Sequence, residues 1–248
     1  MNDKTNAVIL KQSDYRESDA LILAYTEKYG LLSFVARGLR KLTSRNAASL
    51  YPFSISEILF DYKEGRDIFA LHTAHLIYSA KNIPQDLKKT AISSILSELS
   101  DIIGREERYD EEINRNMYQL ISLCTREINE GEDDYLALSF YFAKVLDWMG
   151  IAPEADSCAL CGNTKVSAIS VEDGGFVCAE CYPSLKEDVR ILRQFRLVNK
   201  AEIKDYEVLK KYGPYEFALA EHLYAFLSSY LGINLKSWDF LKQILVIK

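Results

Sequence analysis

The 248-residue chain lacks most of what would mark it as an enzyme or a membrane protein. It has no Gly-x-x-x-x-Gly-Lys to cradle a phosphate, no nucleophile elbow and no His-Glu-x-x-His. Histidine is scarce, at three residues. His72 and His75 stand three apart on an expected strand, which aims them at opposite faces rather than at one metal ion. The apolar stretch that closes the chain, Ile244 to Ile247, is far too short to span a bilayer. Met1-Asn2-Asp3-Lys4-Thr5 opens the sequence with no signal-like apolar core behind it, so a cytoplasmic protein is expected. Internal repeats and low-complexity segments are absent too. A non-catalytic protein is the reading these absences favour. The enzyme rival is a nuclease built on the central carboxylates.

An excess of positive charge is also missing, since the net charge is −6. The distribution says more than the total. The balance of Lys and Arg over Asp and Glu is about +1 for residues 1–80 and −6 for 81–150. It is about −4 for 151–190 and +3 for 191–248. Acid is concentrated around Glu106, Glu107, Asp110, Glu111 and Glu112, read as a solvated helix junction, while the two ends are mildly basic. Such a chain can still offer a basic face to a polyanion.

Residues 1–80 read as strands: Ala7–Leu10, Leu21–Tyr25, Leu31–Ala36, a run over Phe53–Phe60, and Ile68–Leu76. Five short strands with a long connection from Gly38 to Leu50 suit a small closed barrel of the OB type. From Pro84 the period becomes helical. Leu87, Ala91, Ile95, Leu99 and Ile102 share one face, and Ile113, Met117, Leu120, Ile121, Cys124 and Ile128 share another. A third helix is expected to start at Asp133–Asp134 and stop at Gly150 and Pro153. Helical pattern resumes over Ile191–Val198 and from Pro214 to Gly232. The expectation is an α+β protein in four segments: an OB-type barrel (1–80), a first helical part (81–155), a cysteine element (156–183) and a second helical part (184–248).

Cysteine is uncommon, yet four of the five residues stand in two Cys-x-x-Cys pairs, Cys158/Cys161 and Cys178/Cys181. Two thiolates three positions apart converge on one ion, and Gly162 relieves crowding as the backbone turns toward the sulfurs. Two such knuckles joined by a short hairpin, here Ser167–Glu172 and Gly175–Val177 about Asp173-Gly174, make a tetrahedral four-sulfur site. The expectation is one structural zinc ion. Four sulfurs leave no coordination position for water, which weighs against a catalytic zinc. A redox dithiol would need a thioredoxin-like βαβ pattern, and an iron–sulfur cluster is a further alternative. Cys124 sits on an apolar helix face and reads as core.

The third strand runs into Arg37-Gly38-Leu39-Arg40-Lys41-Leu42-Thr43-Ser44-Arg45, which sets four cations beside a glycine and two hydroxyl residues. Cations attract phosphates and small hydroxyl residues donate to their oxygens. Beside an OB groove such a loop would follow a single strand, with Tyr15, Tyr29, Phe34 and Tyr51 as candidates for base stacking. The bland alternative is a solvated loop.

Taken in order, these parts resemble the bacterial recombination mediator family RecO. Tyr15-Arg16-Glu17-Ser18-Asp19 and Tyr25-Thr26-Glu27-Lys28-Tyr29-Gly30 are similar to the family's opening strands. Val35 to Lys41 and Leu50-Tyr51-Pro52-Phe53 resemble its third strand and the loop that follows. Leu146 to Pro153 resembles its junction into the zinc element, and Asp173 to Cys178 its second knuckle. The resemblance implies binding of single- and double-stranded DNA, annealing of complementary strands, and help in loading the RecA recombinase on strands coated by the single-stranded DNA-binding protein. RecR and the acidic C-terminal tail of the single-stranded DNA-binding protein are the implied partners, with no membrane, and the implied location is the cytoplasm at the nucleoid. By position Arg37, Arg40, Lys41 and Arg45 match the family's basic loop. A zinc-stabilised protein–protein adaptor that touches DNA only incidentally is the alternative reading.

Overall fold

The computed structural model describes residues 2–66, 68–106 and 111–246. The chain folds as two compact units, Met1–Glu130 with Leu235–Lys248, and Gly131–Asn234. The change from strand to helix near residue 80 therefore does not end a unit, because the next two helices and the last one belong with the barrel.

In the first unit, β1 (Asn2–Tyr15), β2 (Asp19–Thr26), β3 (Gly30–Ala36), β4 (Ile55–Asp61) and β5 (Ile68–Tyr78) form a closed barrel in the order β1-β2-β3-β5-β4. Pairing is antiparallel except between β3 and β5, which run parallel through Ser33–Val35 and Ile68–Ala70. Ile9, Ile22, Phe34, Ile58, Phe60 and Phe69 fill the interior. β1 is far longer than its apolar run suggests because it serves two neighbours. Asn2–Val8 pairs with β4 and Ala7–Tyr15 with β2, with a register shift between Ile9 and Lys11. The Leu10 carbonyl at that irregularity accepts the Ser97 hydroxyl at 2.9 Å.

Pro84 does not open the first long helix. It lies in a 3-10 turn, Ile83–Gln85, and α1 (Leu87–Glu106) follows Asp86, whose carboxylate accepts the Lys89 N–H at 3.0 Å. α2 (Glu111–Glu130) buries Met117, Leu120, Ile121, Cys124 and Ile128, while Ile113 is exposed. Of the acidic run, residues 107–110 lie outside the described residues.

The second unit begins with α3 (Asp134–Trp148), which Asp133 caps by accepting the Leu136 N–H at 3.0 Å. Most of α3 is buried, including Phe140, Tyr141 and Phe142. β6 (Ala168–Ser170) and β7 (Gly175–Val177) form the small hairpin. α4 (Val189–Lys200), the one-turn α5 (Tyr206–Leu209) and α6 (Phe217–Leu231) follow, with Gly232 at φ 65° closing α6. The chain then returns to the first unit as α7 (Lys236–Val246), which the sequence pattern does not announce. Among the described residues no helix is long and apolar enough to cross a membrane.

Candidate metal centre and nucleic-acid interface

The hairpin of the second unit carries the cysteines at its ends. In the first knuckle, the Gly162 N–H donates to the Cys158 carbonyl at 2.8 Å and the Cys158 N–H to the Asn163 carbonyl at 2.9 Å. Gly162 adopts φ 74°, a left-handed conformation that glycine reaches without a Cβ clash. The Ala159 N–H donates to the Phe176 carbonyl on β7 at 2.8 Å, which locks this knuckle to the strand leading into Cys178. In the second knuckle the Tyr182 N–H donates to the Cys178 carbonyl at 2.9 Å.

These bonds bring all four sulfurs within 4.8 Å of one another. Cys158 and Cys178 are buried, Cys181 is half-buried and Cys161 is exposed, and none of them is in a disulfide. Burial opposes ionisation of the Cys158 thiol. Backbone N–H groups of Cys161, Leu160 and Cys178 outweigh it, and the thiol falls to about 6. Cys181 is pushed up to about 12, first by the Cys161 sulfur and then by Cys178. Four thiols this close cannot all ionise without a cation among them. The donor set fits one metal ion that accepts four sulfurs, and no other such grouping of His, Cys, Asp and Glu occurs among the described residues. Cys124 lies outside the cluster, fully buried, and burial raises its thiol as expected of core.

Contacts within the second unit support the element. The Phe176 N–H donates to the Glu154 carbonyl at 2.8 Å and the Glu154 N–H to the Gly174 carbonyl at 2.9 Å. Asp156 pairs with Arg196 at 3.0 Å and with Lys200 at 2.5 Å.

On the barrel, the loop after β3 is anchored at several points. The Gly38 N–H donates to the Asp19 carboxylate at 2.8 Å and the Arg40 N–H to the Ser18 carbonyl at 3.0 Å. Leu39 and Leu50 sink into the barrel core. The Asn46 side-chain amide oxygen, Oδ1, accepts the Ala74 N–H at 3.2 Å, tying the far side of the loop to β5. Arg37, Arg40, Lys41 and Arg45 are all exposed on this anchored frame. Arg40 pairs with Asp14 at 3.3 Å; the other three form no ion pair among the described residues.

The stacking candidates divide. Tyr15 and Tyr51 are exposed. Tyr29 is stacked on Tyr62 with centroids 4.4 Å apart and donates its hydroxyl to Asp3 at 2.9 Å. Phe34 is fully buried in the barrel and drops out as a base contact. His72 and His75 are both exposed, contrary to the alternation expected, because the β4–β5 register shifts between Leu59/Thr73 and Phe60/Leu71. His72 pairs with Asp61 at 3.0 Å. The anchors Asp19 and Asn46 were missed by sequence reasoning, which sees their chemistry but not their partners.

A family model described as Recombination protein O N terminal matches residues 1–80, and one described as Recombination protein O C terminal matches 84–239. The DNA repair protein RecO of Bacillus pumilus is 28% identical, over 97% of this chain and 94% of its own length. The protein of the same name from Listeria monocytogenes serotype 4a is 29% identical over 98% and 94%. That of Desulforamulus reducens is 28% identical over 97% and 94%.

Proposed function

The chain belongs to the recombination protein O family, and from that premise we propose that it is a DNA repair mediator that holds strands without cutting them. It binds single- and double-stranded DNA, anneals complementary strands and helps to load RecA on strands coated by the single-stranded DNA-binding protein. Its partners in this reading are RecR and that protein's C-terminal tail, and it works at the nucleoid in the cytoplasm. The observation that carries the reading is the anchored barrel loop with four exposed cations, three of them without an acidic partner among the described residues.

Arg37, Arg40, Lys41 and Arg45 contact phosphates and release condensed counterions. Two backbones held against one cationic surface repel each other less, which is the electrostatic requirement for annealing. Fixing the loop backbone through Asp19, Ser18 and Asn46 reduces the ordering needed on binding, because only side chains remain to be placed. Cys158, Cys161, Cys178 and Cys181 hold one zinc ion in this reading. Bound zinc supplies a cross-link between the knuckles and no reaction step, since four sulfurs close its coordination shell.

The test is titration of fluorescent single-stranded DNA across a salt series. Wild-type affinity should fall steeply with salt. Replacing Arg37, Arg40 and Lys41 by Glu should lower low-salt affinity by more than about ten-fold. The salt slope should become shallower by roughly 0.7 for each phosphate that is no longer neutralised. Unchanged affinity in that triple variant would remove the loop from the mechanism.

A further inference from the structure

We propose that Tyr15 and Arg16, at the tip of the β1–β2 hairpin, are the base-contacting part of the barrel's nucleic-acid surface and take one unstacked base of a single strand. The inference rests on the proposed DNA-binding role of the neighbouring loop and adds to it what a set of phosphate contacts lacks, a preference for single strands.

The hairpin ladder ends at the Tyr15–Asp19 pair, and Arg16, Glu17 and Ser18 make the turn. Arg16 adopts φ 58°, a left-handed conformation that favours glycine or asparagine and crowds the Cβ of other residues. One other non-glycine residue in the described structure shares this feature. Phe53, at φ 67°, donates its N–H to the Ile9 carbonyl at 2.7 Å, beside the irregularity in β1, so its conformation completes the barrel. Arg16 instead opens the three-residue turn of the hairpin. Its guanidinium lies over the Tyr15 ring, 5.2 Å from the centroid, and forms no ion pair among the described residues. The strain of that turn is carried by an arginine, not a glycine, whose exposed side chain lies beside the Tyr15 ring.

The pair has the right chemistry for a base. Tyrosine rings and guanidinium groups are flat, and both stack on nucleobases regardless of sequence. Tyr15 is 37% exposed, so part of its ring remains open to a flat partner. The position fits as well. The basic loop is fastened to this tip, through the Arg40 N–H on Ser18 and the Gly38 N–H on Asp19. Of the local carboxylates, Asp14 is paired with Arg40 and Asp19 is engaged by the Gly38 amide, which leaves Glu17 as the unpaired acid of the tip among the described residues. A strand whose phosphates follow Arg37 to Arg45 would meet the Tyr15–Arg16 pair at the loop's attachment. A duplex keeps its base faces stacked inside and has none to offer.

The experiment compares Tyr15→Leu, Tyr15→Phe and Arg16→Gly in the full chain, using a fluorescent single strand and a blunt-ended duplex of equal charge at low salt. Tyr15→Leu should lose about ten-fold on the single strand, within the range of one base–aromatic stack, with duplex binding and the salt slope little changed. Tyr15→Phe should behave as wild type. A 2-aminopurine in the single strand should be quenched by wild type and less so by Tyr15→Leu. Arg16→Gly should keep or raise the thermal midpoint, because glycine accepts the left-handed backbone, and yet weaken single-strand binding several-fold. Equal binding of both probes by Tyr15→Leu and wild type would overturn the proposal, as would equal losses on single strand and duplex. A lower midpoint in Arg16→Gly would overturn the strain argument. If the Arg37, Arg40 and Lys41 reversals alone abolish binding while these variants do not, the loop stands and only the base contact falls.

Discussion

The four cysteines and the four loop cations are each a compact group of like side chains, yet the protein holds them in opposite ways. At the cysteine cluster the side chains converge, with sulfurs within 4.8 Å and one thiol held down to about 6 while another is pushed up to about 12. At the loop the chain is pinned through the Gly38 and Arg40 amides and the Asn46 side chain, while the four cationic side chains are exposed. A metal ion demands that every donor reach one point. A polyanion demands only that charges lie along its path. The first arrangement should therefore fail all at once when one member is lost, and the second should decline in steps.

The largest expected effect breaks the first half of that comparison. On the proposed zinc site, Cys158→Ser, or treatment with a chelator, should take metal content from one ion per chain toward none. Amide protection across residues 156–183 should go with it, because structural zinc contributes roughly 10–16 kcal/mol in comparable small sites and the hairpin core amounts to little more than Ala168, Val177 and Tyr182. Arg45→Ala, by contrast, should cost DNA affinity only a few-fold. Native-like hydrogen exchange over the hairpin in metal-free reduced protein would remove the cluster from the fold's support.

A second test asks how tightly the second unit grips the hairpin apart from metal. A Cβ added at Gly175 would lie 2.3 Å from the Glu154 carbonyl oxygen and 2.6 Å from its nitrogen, and both atoms are backbone and cannot swing aside. Gly175→Ala should therefore destabilise by about 3 kcal/mol, the upper end of overpacking costs, and weaken metal retention. A thermal midpoint equal to wild type would mean that the Glu154–Gly175 approach is loose in solution.

These regions also differ in how plainly the sequence declares them. The cluster is local: four cysteines in two pairs with a turn between them specify a hairpin and its ligands, and β6, β7 and the sulfur group follow that reading closely. The barrel was legible as five strands, because β2, β3 and β4 keep their apolar runs. Its finer geometry was not. β1 runs past its apolar core because it pairs with two strands at once, and His72 and His75 share exposure because a register shift interrupts alternation. Phe34 looks as available as Tyr15 until the barrel closes around it. Arg16 carries no sequence mark of its left-handed backbone. α7 was missed since its buried residues, Trp238 and Leu241, make a thin stripe whose meaning depends on returning to α1 across more than a hundred residues.

That return supplies the smallest test, which asks whether one charge matters to the barrel unit's fold as charge matters at the cluster. Glu98 on α1 accepts the Lys236 N–H at 3.1 Å and the Ser237 N–H at 2.9 Å, and the Ser237 hydroxyl at 2.5 Å, so a carboxylate sits on the first amides of α7. Partial burial works against ionisation, but the Ser237 and Lys236 donors prevail and hold the carboxyl below its ordinary 4.5. A carboxyl depressed in the folded state stabilises above its ordinary value, and that stabilisation is lost as pH falls through the depressed one. Glu98→Gln keeps an acceptor oxygen and removes the charge. Its stability at neutral pH should fall by about 0.3–1 kcal/mol, the usual worth of an anion at a helix N-terminus, and its decline below pH 4.5 should be shallower than wild type. Thermal midpoints measured from neutral pH down through the acid range decide the matter. Parallel curves would make the clasp a pair of ordinary hydrogen bonds, and the barrel unit would then owe its C-terminal helix to apolar packing alone.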